Sequence, residues 1–154
     1  MKVEQILENT LKDANEYLNM FGLKIEVLDD RLPGDNAIAE YEYESVFSDS
    51  IKIRIDLYEI MKLSNPEELP ADIRVTVFHE IGHAFMNFIE EMSDEEIAPY
   101  KDSYFDVFYD DNGVDEEDIV EEFGQSFDDT NVVTDGYSLL RELVELMLEN
   151  DVEF

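Results

Sequence analysis

Apolar residues recur every three or four positions near the start of the chain. This spacing places them on one side of a helix, and it predicts an amphipathic helix over about 2–20 that ends at Gly22. The apolar side consists of Val3, Ile6, Leu7, Leu11, Ala14, Leu18 and Phe21. Such a side usually packs on the core of a domain, so we expect this helix to have a structural role.

Three segments that follow alternate between apolar and polar residues, as strands do. They lie at 23–27, 37–46 and 51–57, and the alternation is clearest in the last. Turn-forming residues separate them at 33–36 and 48–50. Because short connections usually join neighbouring strands, we expect a three-stranded antiparallel meander.

The second half of the chain predicts helices. One helix, over about 70–91, is apolar around most of its circumference and is therefore expected to be buried. A capping box follows at 93–96. A helix over about 115–128 has an apolar stripe, and a last helix, which begins with Thr134 or Asp135 as its cap, ends near Asn150. The order of elements predicts an α+β fold in one domain: an N-terminal helix, a small, mainly antiparallel sheet, and three principal helices after it.

Composition limits the class of protein. A chain of 154 residues is long enough for one domain with a core, and its 44% hydrophobic content with 18 Phe and Tyr residues argues against disorder. There is no apolar run of membrane-spanning length and no secretory signal pattern, so we expect a cytoplasmic protein without membrane contact. There is no cysteine, which excludes disulfides and a thiolate metal site.

The charge is strongly negative and unevenly distributed. The formal net charge is −31, and residues 76–154 contain 24 acidic side chains but only two basic ones, Lys101 and Arg141. A field of this sign repels nucleic acid and attracts cations, so we expect a basic protein or peptide partner and no direct nucleic-acid binding. A well-solvated surface or adaptation to salt explains the same composition. A surface that imitates DNA is a third interpretation.

Both histidines of the protein lie four residues apart, with a glutamate directly after the first: His79-Glu80-Ile81-Gly82-His83. On a helix these two histidines share a face and can bind one metal ion, while Glu80 points about 100° away and can reach a water molecule at that ion. This is the geometry of the H-E-x-x-H zinc-peptidase motif. The alternative is a pair of ordinary helix histidines. Gly82 weakens the helix, which suggests close approach by another element.

A catalytic zinc site with two histidines needs a third protein ligand, and the absence of a third histidine makes it a carboxylate. Glu121 shares a helix face with Gly124 and Gln125. The small Gly124 would let this helix lie close to the histidine helix, and Gln125 or Asp128, on the same face, would orient the ligand. Periodicity alone does not select Glu121, and its neighbours Glu117 and Glu122 are alternatives.

The pair of segments His79-Glu80-x-Gly82-His83-Ala84 and Glu121-x-Phe123-Gly124-x-Ser126-Phe127 resembles the gluzincin arrangement of anthrax lethal-factor-like peptidases. It is more loosely similar to ImmA/IrrE-type and SprT-like peptidases. The resemblance covers about residues 77–127 and implies a minimal zincin-like domain. It implies that His79, His83 and Glu121 bind Zn²⁺ and that Glu80 is the catalytic base.

Two positions depart from the lethal-factor-like pattern. Gln125 stands where that family has a second acid, and Val114 stands where it has a tyrosine that stabilises the transition state. Tyr104, Tyr109 and Tyr137 are candidates to replace that tyrosine.

The resulting hypothesis is a zinc metallopeptidase whose metal-activated water attacks a peptide bond of a basic protein, with Glu80 transferring the proton. A DNA-binding regulator would suit as the substrate, and an edge strand within 51–57 would pair with it. The competing hypothesis is a non-catalytic acidic binding or DNA-mimic protein with a structural or vestigial metal site.

Overall fold

The N-terminal helix is the first element of the computed structural model, which describes residues 2–29, 38–42, 50–108, 115–127, 138–152 and 154. This helix, α1, spans Val3–Asn19 and buries the predicted apolar side. The chain leaves it through Gly22, whose φ of 73° is in the left-handed region that glycine adopts without strain. The backbone N–H of Leu23 then donates to the carbonyl of Leu18 and closes the helix end.

Within the described residues the sheet has three strands, as predicted, but their order is not that of a meander. The strands are β1 (Lys24–Asp29), β2 (Ala39–Glu42) and β3 (Ser50–Ile55), and their order is β1-β3-β2. β1 runs parallel to β3, and β2 runs antiparallel to it, so the sheet is mixed. The isoleucines of β3 are at most 1% exposed, which explains why the most apolar strand takes the central position.

The predicted strand at 51–57 ends earlier, and a helix that the alternation did not predict follows it. This helix, α2, spans Leu57–Leu63. The cause is Asp56, whose side chain accepts a hydrogen bond from the backbone N–H of Glu59 at 3.1 Å and caps the helix. Leu57 therefore begins a helix instead of ending a strand.

The remaining helices follow the predicted order. They are α3 (Leu69–Glu90), α4 (Asp94–Ile97), α5 (Lys101–Phe108), α6 (Glu116–Gln125) and α7 (Leu139–Glu149), with a 3-10 turn at Ala98–Tyr100 between α4 and α5. The capping box before α4 is confirmed, with Ser93 and Glu96 as its partners. Ser138 caps α7, whereas the caps predicted for it, Thr134 and Asp135, lie outside the described residues.

The core is built around α3, which is buried between α6, α1 and the sheet. Aromatic side chains fill the space on one side of it, and Phe78 of α3 stacks on Phe127 with ring centroids 4.1 Å apart. Tyr17 of α1 contacts both rings edge-on. The order of elements and this packing confirm the α+β class. Within the described ranges, no helix has both the length and the apolar character that crossing a bilayer requires.

Candidate metal centre

Helix α3 brings His79, Glu80 and His83 together. One ligand atom of each lies within 4.8 Å of the others, which is within the reach of a single metal ion. Glu80 is buried, while the two histidine side chains are 23% and 15% exposed. The helical spacing seen in the sequence therefore produces a triad of possible metal ligands.

Two glycines allow α6 to lie against this part of α3. A Cβ atom at Gly82 would be 3.1 Å from side-chain atoms of Val120 and Phe123. A Cβ atom at Gly124 would be 2.8 Å from the carbonyl oxygen of Val75, closer than real Cβ atoms come. The close approach expected from both glycines is thus present. It places the acidic N-terminal turn of α6 beside His83.

Two carboxylates of that turn contact the histidines. Glu117 lies 2.9 Å from Nε2 of His83 and 3.2 Å from Nε2 of His79, so both Nε2 atoms converge on one carboxylate. Glu116 lies 2.7 Å from Nδ1 of His83. Glu117 was among the alternatives for the third ligand, but sequence reasoning missed Glu116. A carboxylate in the role of Glu116 could have been expected on chemical grounds. A histidine that binds metal through one ring nitrogen needs a hydrogen-bond partner for the other.

The other two candidate ligands have different surroundings. Glu121 lines the same cleft as the histidines and accepts a hydrogen bond from Nε2 of Gln125 at 3.4 Å. Glu122 instead accepts a hydrogen bond from the backbone N–H of Leu139 at 2.9 Å and so binds the N-terminus of α7. The cleft therefore contains Glu117 and Glu121 as candidate ligands, while Glu122 serves the packing of α7.

Burial changes the proton affinities of the triad. Desolvation raises the pKa of Glu80 to about 7, the negative charge of Glu117 adds to the shift, and His83 and the backbone N–H of Tyr41 oppose it. Desolvation also lowers the pKa of His79, as does the neighbouring His83, against the opposite effect of Glu117. A lowered pKa favours the neutral imidazole, which is the form that binds metal.

The triad opens into a cleft of about 690 Å³ between α3, α6 and β2. Ala39, Glu40 and Tyr41 of β2 form one wall. The hydroxyl of Tyr41 accepts a hydrogen bond from Nδ2 of Asn87 at 3.4 Å, and this cleft tyrosine was missed by sequence reasoning.

Of the tyrosines singled out in the sequence, the structure describes only Tyr104, which does not line this cleft. Tyr104 lies on α5, where it stacks on Phe108 with ring centroids 4.6 Å apart. Tyr109, Tyr137 and Val114 lie outside the described residues.

The donor set fits a divalent metal ion. Divalent ions such as zinc bind imidazole nitrogens and carboxylate oxygens that converge on one point. Here the Nε2 atoms of both histidines point at one carboxylate, and further carboxylate oxygens lie nearby.

Comparison with known proteins adds no family to this picture. No protein-family model matches the chain, and neither a curated protein nor a solved structure matches it. The centre is therefore characterised by its own geometry, an H-E-x-x-H-like triad within metal-binding distance.

Proposed function

We propose that the protein is a zinc-dependent peptidase of the zincin type that cleaves a basic protein substrate. The observation that carries the proposal is the convergence of His79 and His83 at the floor of an open cleft, with Glu80 buried beside them. In this proposal Glu80 does not bind the metal, and a purely structural metal site would have no need of a buried, non-ligating glutamate beside it.

In this proposal the metal is Zn²⁺, bound by His79, His83 and a carboxylate of α6. Resemblance to lethal-factor-like peptidases favours Glu121 as that carboxylate, and the contacts with both Nε2 atoms favour Glu117. A zinc ion at this position would polarise the scissile carbonyl and acidify water. Glu116 orients His83 through Nδ1 and fixes which ring nitrogen faces the ion.

Glu80 is the general base and then the general acid. Its carboxylate takes the proton of the attacking water and passes it to the leaving amine. The backbone N–H of Tyr41 donates to this carboxylate and so holds it at the cleft wall. This hydrogen bond gives the carboxylate a defined position beside the two histidines.

The substrate is proposed to pair with β2. The expectation of an edge within 51–57 is wrong for β3, because β3 pairs with both other strands. In the described sheet β2 is an edge, and the N–H of Tyr41 points from it towards Glu80. Because backbone groups alternate along a strand, Ala39 also presents its N–H and carbonyl on the cleft side. An extended peptide can bind there by adding a strand.

The net charge of −31 supports a basic substrate, of which a DNA-binding regulator is one example. The same charge favours the second candidate function, a non-catalytic acidic binding or DNA-mimic protein. In that case Glu116 and Glu117 would serve only as ion-pair partners of the histidines.

Metal content and peptide cleavage test the proposal together. Protein purified without added metal should contain about one zinc per chain, and His83→Ala should lose it. Glu80→Gln should keep the metal but reduce cleavage of basic peptides about a hundredfold or more. Glu91→Gln removes an exposed acid at the end of the same helix and should change neither. The proposal would be refuted if Glu80→Gln still cleaved the peptides as wild type does. It would also be refuted if purified wild type contained no metal.

A further inference from the structure

A second groove continues the metal cleft along α3 towards the N-terminal end of that helix. The two share Ile38, Val75 and Thr76 as lining residues, and the groove has a volume of about 750 Å³. Gln125 lines the groove and donates to Glu121, which lines the cleft. A peptide bound in the cleft can therefore extend directly into the groove.

One wall of the groove is apolar and open to solvent. Leu63 of α2 is 67% exposed and forms its accessible surface, while Ile60 lines the groove but is only 1% exposed. The nearest cation along the chain, Lys62, is not among the lining residues and pairs with Glu59 at 3.5 Å. Among the described residues that line the groove there is no cation, so the wall offers a surface for a methylene chain.

The far end of the groove is acidic. Glu68 and Asp72 line it, and neither carboxylate has a hydrogen-bond or ion-pair partner in the described part of the chain. Acids in the first turn of a helix also stabilise the helix dipole, which would be a structural role. That role does not account for the apolar wall opposite them or for the connection to the metal cleft.

We infer that this groove is a specificity subsite for a lysine or arginine side chain of the substrate. The inference rests on the proposed peptidase function and names the substrate feature that the enzyme selects. The aliphatic stem of such a side chain would lie on Leu63, and its cationic end would pair with Glu68 and Asp72. Lysine and arginine are the common side chains that combine an aliphatic stem for the apolar wall with a positive charge for the acidic end.

The geometry also fixes the distance of the basic residue from the scissile bond. Asp72 lies seven residues before His79 on α3, which is about 10 Å along a helix. An extended peptide covers that length in about three residues. The basic side chain should therefore be needed about three residues from the cleaved bond.

Peptides with a single lysine placed at successive positions, each compared with its norleucine analogue, test the subsite. Norleucine keeps the apolar stem and removes the charge. The variant Glu68→Gln/Asp72→Asn removes both groove carboxylates. The matched control Asp94→Asn/Glu95→Gln removes two exposed acids from the first turn of another helix, so its net charge is the same.

Wild type should cleave the best lysine peptide about fivefold more efficiently, in kcat/KM, than its norleucine analogue. The preference should disappear in the groove variant and persist in the control. Equal cleavage of both peptides by wild type, or equal loss of preference in the two variants, would overturn the subsite.

Peptide binding to the Glu80→Gln protein separates this result from the peptidase proposal. Fluorescence anisotropy should give a lower Kd for the lysine peptide, dependent on Glu68 and Asp72. If wild type cleaves no peptide but this Kd difference is present, the peptidase proposal fails and the subsite is supported. If peptides are cleaved without any Kd difference, the subsite fails and the peptidase proposal is unaffected.

Discussion

Gly124 lies against the backbone of His79: a Cβ atom at position 124 would be 3.0 Å from the amide nitrogen of His79 and 3.2 Å from its Cα. These are backbone atoms in the middle of a buried helix, so they cannot turn aside as a side chain can. The distance between α6 and the histidines is therefore set by the absence of a side chain at one residue. The carboxylates of α6 reach the triad because of it.

Gly124→Ala should destabilise the protein by about 1–3 kcal/mol, because the new methyl group overlaps the backbone of α3. The better helix propensity of alanine offsets about 1 kcal/mol of the overlap. Zinc affinity should fall as well, since α6 must move away from His79. Urea unfolding and zinc titration measure the two effects.

Gly82→Ala is the matched control for this substitution. A Cβ atom at Gly82 would meet only side-chain atoms, those of Val120 and Phe123, which can shift. It should therefore destabilise the protein less than Gly124→Ala. An equal or larger loss at Gly82 would show that the backbone contact of Gly124 does not control the helix approach.

The third metal ligand is expected to be Glu121. Glu117 forms a hydrogen bond with Nε2 of His79 and lies 2.9 Å from Nε2 of His83, which makes it the alternative ligand. Glu121 lies in the same cleft and is oriented by Gln125. Glu121→Gln should weaken zinc affinity about a hundredfold, and Glu117→Gln should weaken it far less.

Competition with a chelator of known affinity measures this difference. Asp118→Asn removes an exposed acid from the same turn of α6 and reports the effect of charge alone. If Glu117→Gln loses more affinity than Glu121→Gln, Glu117 is the ligand and the resemblance to lethal-factor-like peptidases does not extend to this residue.

Local pattern predicted the helices other than α2 and the clustering of His79, Glu80 and His83, because these depend on residues close in sequence. The spacing of His79 and His83 on one helix is such a local property, and so is the capping box at Ser93. The sheet order was not predictable in the same way, since β1 pairs with a strand more than twenty residues away. Glu116 was missed for a related reason: its role depends on how α6 packs on α3.

Arg141→Lys should destabilise the protein by about 1–3 kcal/mol. The side chain of Arg141 is 4% exposed, donates to the carbonyl of Ser126 at 3.0 Å and to Glu145 at 3.2 Å, and lies 4.1 Å from the ring centroid of Phe127. A lysine keeps the charge but cannot donate in both directions while it lies over the ring.

Denaturant unfolding compares this variant with Arg54→Lys, the same exchange at an arginine that is 39% exposed and pairs with Glu40 at 3.9 Å. The control should change stability by less than about 0.5 kcal/mol. Equal effects at the two positions would mean that the guanidinium contacts at the end of α6 contribute little.

The stability of the fold should decrease in alkaline solution because of Tyr17. Burial raises the pKa of this tyrosine well above 10.0, the charge of Glu145 adds to the shift, and Arg141 opposes it. The folded protein therefore retains the phenolic proton at a pH where the unfolded chain has lost it. Stability is unaffected below the pKa of the unfolded chain and falls above it, by up to about 1.4 kcal/mol per pH unit for one such group.

Urea unfolding at a series of pH values from about 8 to about 11 measures this fall, which should begin near the ordinary tyrosine pKa of about 10. Tyr17→Phe removes the titrating group and should make the fall shallower, although it also removes the hydrogen bond to Glu145 and so lowers stability at neutral pH. Tyr58→Phe, the same exchange at a tyrosine that is 51% exposed, is the matched control. If the free energy of unfolding fell equally steeply with pH in wild type and in Tyr17→Phe, groups other than Tyr17 would be the cause, since the two proteins differ only at that residue.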